Sequence, residues 1–172
     1  MRWRKHRVTL GCLFAASIAL SAIHPLGDPH LGARSGPVLQ GADVPPQVRT
    51  ALESKCSDCH SQNTRYPLYG HFAPVTWMID RDVREGRQRL DLSRWPSYNP
   101  EERINALTRI AAQIHAAQMP PRMYVWLHPH ARLSQEEQAL IYEWTKSERK
   151  RLRSQLAAAS NQASAASHPS QP

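Results

Sequence analysis

Cysteine is scarce in this chain, with three in 172 residues, and glycine and phenylalanine are scarce as well, at seven and two. Three cysteines cannot build the set of widely spaced disulfide staples on which many small exported domains depend. No segment alternates apolar and polar residues with an excess of β-branched types, so nothing reads as a strand. No internal repeat is visible. Acidic residues are outnumbered, 14 against 22 basic, for a formal charge of +8. Half of that excess lies in Arg2, Arg4, Lys5 and Arg7. The rest is spread thinly along the chain, which argues against a nucleic-acid-binding role and reads as solvated surface.

What is present begins with those four cations. They precede an uncharged apolar stretch over residues 8–23, which ends in the small residues Ala19, Ser21 and Ala22. The pattern is that of an export signal. The stretch falls short of the ~20 apolar residues of a comfortable membrane span. Residues 1–23 are therefore expected to be a signal peptide or an N-terminal membrane anchor. Cys12 reads as an ordinary residue of the apolar run. Residues 24–43 are rich in glycine and proline and read as a linker. Residues 44–153 form the expected domain, and residues 154–172, nearly all Ala, Ser, Gln and Pro, read as a disordered tail.

The two cysteines left over stand in Cys56-Ser57-Asp58-Cys59-His60. C-x-x-C-H is the attachment sequence of a c-type haem. Each thiol can add across one vinyl group of the porphyrin, giving two thioether links. The adjacent His60 is then carried beneath the macrocycle, where its imidazole can bind the iron. A loop this short makes a poor structural disulfide, and chemistry at the motif explains the pair better. Covalent haem attachment belongs outside the cytoplasmic membrane, in keeping with the N-terminal signal.

Four helices are predicted. One starts near Pro46 and delivers Cys56 at its end. A second covers about residues 75–90, with Val75, Ile79 and Val83 repeating and Gly86 weakening its last turn. A third is capped by Asn99, with Pro100 first, Glu102 third, and Ile104, Leu107, Ile110 and Ile114 on one face. The fourth opens with the box Ser134-x-x-Glu137 and buries Leu140, Ile141 and Trp144. The fold class is all-α, a small c-type cytochrome-like helical domain with long ordered loops around one covalent haem. A domain of about 110 residues has a thin core, so the haem-free protein is expected to fold poorly.

Met119 is the expected distal iron ligand, held by Pro120 and Pro121 on a stiff extended loop. Its soft neutral sulfur favours ferrous iron. Met123, a histidine or an open position are the alternatives, and Met78 is expected in the core. His71 carries no assigned chemistry. His115 reads as packed or surface, and His128-Pro129-His130 as a turn with hydrogen-bonding rings. Tyr66, Tyr69, Trp77 and Trp95 are candidates to wall the haem, and Arg65, Arg87 and Arg94 are candidate partners for its propionates.

Residues 56–95 and 119–137 together resemble the haem-binding domain family of bacterial cell-envelope c-type cytochromes. The resemblance rests on C-x-x-C-H followed in order by Thr64-x-Tyr66-Pro67, Ala73-Pro74-Val75, Gly86-Arg87 and Met119-Pro120-Pro121. Leu68 and Met78 stand where many relatives carry an aromatic. The resemblance implies one haem c per domain, with Cys56 and Cys59 as attachment points, His60 as proximal ligand and Met119 as distal ligand. The expected function is electron transfer in the periplasm or cell envelope with redox partner proteins, and possible association with the cytoplasmic membrane. No catalytic constellation accompanies the motif, so the chain is not expected to be an enzyme. A haem-based sensor with a displaceable distal ligand is the alternative, and a zinc module is a weaker one.

Overall fold

Proline at helix starts and two capping boxes explain most of the helix boundaries. This computed structural model describes residues 2–23, 25 and 37–167. Among them lie helices α1 (Arg2–Ser21), α2 (Pro46–Lys55), α3 (Ser57–His60), α4 (Val75–Arg89), α5 (Pro100–His115), α6 (Arg122–Leu127) and α7 (Gln135–Ser167). Three 3₁₀ turns, Leu68–His71, Leu92–Ser97 and Pro129–Ala131, complete the regular structure. The described residues contain no strand, and the all-α expectation is met.

The chain divides into two compact units, Met1–Gly36 with Ser57–Leu92, and Pro37–Cys56 with Ser93–Pro172. In the second unit α5 packs on α7. Asn99 accepts from the Glu102 amide at 2.9 Å, and Glu102 accepts from the Asn99 amide at 2.8 Å, which closes the first box. Ser134 and Glu137 form the same reciprocal pair at the start of α7. Such a cap typically contributes about 1 kcal/mol. The buried stripe of α5 is Ala106, Leu107, Ile110, Ala111 and Ile114; that of α7 includes Ile141, Trp144, Thr145 and Leu152. Both follow the three-and-four spacing of an amphipathic helix. Burying each large apolar side chain stabilises by about 1.5–3 kcal/mol.

The end of α2 is tied to the start of α7. Lys55 Nζ donates to the Arg132 carbonyl at 2.8 Å and to Glu137 Oε2 at 2.6 Å. The α5 end turns through Ala117, whose φ of 49° lies in the left-handed region. The Ala117 amide donates to Ile114 and the Gln118 amide to Gln113, both at 3.0 Å. This is a Schellman closure with alanine in the place usually held by glycine.

Several expectations need correction. Part of the expected linker is ordered: Val38 and Leu39 are buried, Arg49 Nη1 donates to the Val38 carbonyl, and Trp144 Nε1 donates to the Asp43 carbonyl. These two apolar side chains give the segment something to bury, which its Gly/Pro content concealed. The remainder of the linker, His24 and residues 26–36, lies outside the described residues. The tail expected to be disordered continues α7 as far as Ser167. Alanine is the best helix former, and an existing helix extends far more easily than a new one nucleates. Met78 is exposed, not core, because α4 instead buries Thr76, Asp80 and Val83. Ile104 is only half-buried.

Among the described residues no helix is long and apolar enough to cross a membrane. In α1 the reason is plain: four cations occupy its first turns.

Candidate functional site around Cys56–His60

Cys56 is the C-cap of α2, its amide donating to the Leu52 carbonyl at 3.0 Å. Ser57–His60 then forms the single turn α3. Cys56 and Cys59 form no disulfide, and both are half-buried, as is His60. In the first unit, α3 lies against α4. The approach is close: a β-carbon on Gly86 would stand 2.6 Å from the Cys59 carbonyl oxygen. Only a residue without a side chain allows α4 to pass here. Gly86 thus has a packing role that outweighs its weak helix propensity.

That proximity orients the histidine. His60 Nδ1 lies 3.0 Å from the Gly86 carbonyl and 3.0 Å from the Leu90 carbonyl. Two acceptors flanking one ring nitrogen require it to carry the proton, since carbonyls cannot donate. The other nitrogen, Nε2, is thereby left with its lone pair. A metal-binding imidazole is commonly held in this way, with the outer N–H bonded to a carbonyl that fixes tautomer and orientation. Gly86 and Leu90 were not among the expected site residues. In the sequence Gly86 reads only as a weak helix residue and as part of the Gly86-Arg87 pair that carries the resemblance, and Leu90 carries no signal.

The loop after the motif is cross-braced. Ser61 Oγ donates to the Ser57 carbonyl at 2.7 Å, and Thr64 Oγ1 to the Asp58 carbonyl at 2.6 Å. Arg87 Nε donates to the Ser61 carbonyl at 2.8 Å, and Arg87 Nη2 to Thr64 Oγ1 at 3.0 Å. Arg65 pairs with Asp58 at 3.2 Å, and Gln62 Nε2 donates to Asp91 Oδ2 at 2.6 Å. Arg65 and Arg87, weighed as propionate partners, therefore hold Asp58 of the motif and the loop that follows it. Tyr66 donates to the buried Asp80 at 2.9 Å, and its ring lies 5.9 Å from that of His71. Trp95, in the second unit, is almost fully buried, with the Arg103 guanidinium 5.9 Å from its ring centre.

Burial raises the Cys59 thiol to about 11, with Asp58 and Asp82 adding to the effect and Arg87 opposing it. At neutral pH Cys59 is thus the protonated thiol. Among the described residues, no three His, Cys, Asp or Glu side chains converge as metal ligands do.

Met119 lies in the second unit, half-buried, two residues past Ala117, and its peptide bond to Pro120 is cis. Met123 stands exposed on α6. His128 stacks on Tyr124 with ring centres 4.4 Å apart, and its Nδ1 lies 3.2 Å from the Tyr124 carbonyl. This is the hydrogen-bonding turn expected of His128-Pro129-His130. His115 is exposed beside the ring of Tyr142.

A helical domain with two thiols at C-x-x-C spacing beside a histidine of fixed tautomer carries donors suited to a haem. Comparison with known families agrees: the haem-binding domain model matches residues 17–147, about three quarters of the chain. The chain belongs to the haem-binding domain family. No curated protein and no solved structure matches it.

Proposed function

We propose that this haem-binding protein is a mono-haem c-type cytochrome that transfers electrons on the periplasmic side of the cytoplasmic membrane. Cys56 and Cys59 would hold the haem through thioethers, and His60, through Nε2, and Met119 would bind its iron. When bound, the haem supplies a one-electron couple at its iron. The chain's own residues do the rest. The α2 C-cap and the α3 turn present the two sulfurs. The Gly86 and Leu90 carbonyls hold the His60 proton on Nδ1 and add electron density to the ligating nitrogen. Arg87 and Thr64 brace the loop beyond it.

The observation that carries this reading is the His60 ring flanked at Nδ1 by two carbonyls. It fixes the tautomer and ring orientation that a ligating imidazole needs. His/Met ligation leaves no vacant position for a substrate, which suits a carrier exchanging electrons with envelope redox proteins. The test is spectroscopic. The oxidised protein should show a methionine-to-ferric charge-transfer band that Met119→Ala abolishes and Met123→Ala retains. A band that survives Met119→Ala defeats the distal assignment. Rapid carbon monoxide binding by the native ferrous protein would support a sensor instead.

A further inference from the structure

Three hydrogen bonds join the end of α1 to a corner more than fifty residues along the chain, within the first unit. Ser17 Oγ donates to the Ala73 carbonyl at 2.5 Å, and the Ala73 amide donates to Ser21 Oγ at 2.8 Å. The Trp77 indole Nε1–H donates to the Ile23 carbonyl at 2.7 Å. Ala73 is buried, at 6% exposure. Both polar groups of this buried residue's backbone thus find partners on α1, where leaving them unmade is costly. Ser21 is also one of the small residues that made this place look like a peptidase site. Cleavage just after Ser21 or Ala22 would remove both partners of the Ala73 backbone.

The extent of the family match points the same way. It begins at residue 17, the first residue of this contact, so the family's domain includes the end of α1 rather than starting beyond it. Ahead of the contact, α1 has nothing within the described chain to cover it. Val8, Leu10, Leu13 and Phe14 are all exposed. A helix apolar around its whole circumference has to be buried in something. Its apolar length ahead of the latch, residues 8–16, is roughly 14 Å at 1.5 Å per residue, well short of the ~30 Å of a hydrocarbon core. The basic cluster in front of it complements anionic lipid headgroups.

We propose that α1 is kept in the mature protein, latched by Ser17, Ser21 and Ile23 to the Ala73–Trp77 corner, with the apolar length ahead of the latch seated in a lipid membrane. The latch holds the motif-bearing unit close to the bilayer. The proposal rests on the envelope reading above, but its test does not depend on haem.

The full chain, with its own N-terminus, is expressed in bacteria competent in cytochrome maturation. Cells are fractionated, and the N-terminus of the recovered protein is read by mass spectrometry. The expected result is protein in the membrane fraction, released by detergent and not by high salt, with residues 8–23 still present. A soluble periplasmic protein beginning between residues 20 and 26 overturns the proposal. Hydrogen exchange then reads the latch itself. The Ala73 amide should exchange about tenfold faster in Ser21→Ala than in the parent, and an unchanged rate overturns the latch. Colourless protein with these N-terminal readings would tell against the cytochrome assignment alone.

Discussion

Replacing Gly86 with alanine isolates the contact on which the site's geometry turns. The added methyl would meet the Cys59 carbonyl oxygen at 2.6 Å, with the Cys59 carbonyl carbon at 3.3 Å and its β-carbon at 3.4 Å. The nearest of these is backbone and cannot rotate aside, so α4 has to move away from α3. Overpacking of this kind costs about 1–3 kcal/mol. The helix-propensity gain of alanine returns about 1 kcal/mol, leaving a net loss of roughly 0–2 kcal/mol. The larger consequence is at His60, whose two acceptors, the Gly86 and Leu90 carbonyls, both leave with the helix. A weaker Nδ1 bond makes the imidazole a poorer donor to ferric iron, so the reduction potential should rise. A differential loss of about 0.5 kcal/mol corresponds to roughly 20 mV for one electron. Gly70→Ala is the control. Its methyl would meet the end of the Ile79 side chain at 2.8 Å, a group that can rotate, and none of its near neighbours belongs to the motif. Potentiometric titration and thermal melting of both variants decide the matter. A Gly86→Ala protein with parental potential and stability would refute the close-approach argument.

Other outcomes follow from the caps and charges. Asn99→Ala removes one half of the α5 capping box and should cost about 1 kcal/mol in a denaturant titration. Ala117→Gly relieves a left-handed residue and should stabilise by roughly 0.5–1 kcal/mol, read in the same titration. Burial alone would raise the Glu137 carboxyl, but hydrogen bonds from Lys55 and Ser134 and the Lys55 charge hold it below its usual value near 4.5. A carboxylate depressed in the folded state contributes stability above the unfolded value and loses it as pH falls through the folded one. The melting difference between the parent and Glu137→Gln should therefore be fully present at neutral pH and shrink progressively below about pH 4.5.

Much of the fold was legible because its signals are local. Asn99-Pro100-x-Glu102 and Ser134-x-x-Glu137 marked two helix starts, and both boxes close as the residues require. Pro46 did the same for α2. What escaped is tertiary or competitive. Gly86 reads as a weak helix residue until the partner that needs the space, the Cys59 carbonyl, is in place. Arg87 looked like a free cation for an anionic group, yet the carbonyl of Ser61 and the hydroxyl of Thr64 already occupy it. Met78 sits at helical spacing with apolar neighbours, but α4 turns Thr76 and Asp80 inward, where Tyr66 satisfies the carboxylate. In residues 154–167, composition argued for disorder and propensity for helix. The preceding helix favours propensity, because nucleation has already been met.

The most direct measurement takes the protein from cells that mature c-type cytochromes, denatures it, extracts it with acidified organic solvent, and weighs the polypeptide. One haem should remain bonded to the chain and redden the gel band, with neither adduct nor colour in the Cys56→Ala, Cys59→Ala double variant. A parent polypeptide that gives up all its haem to the solvent, or carries none, would contradict covalent attachment through these two sulfurs.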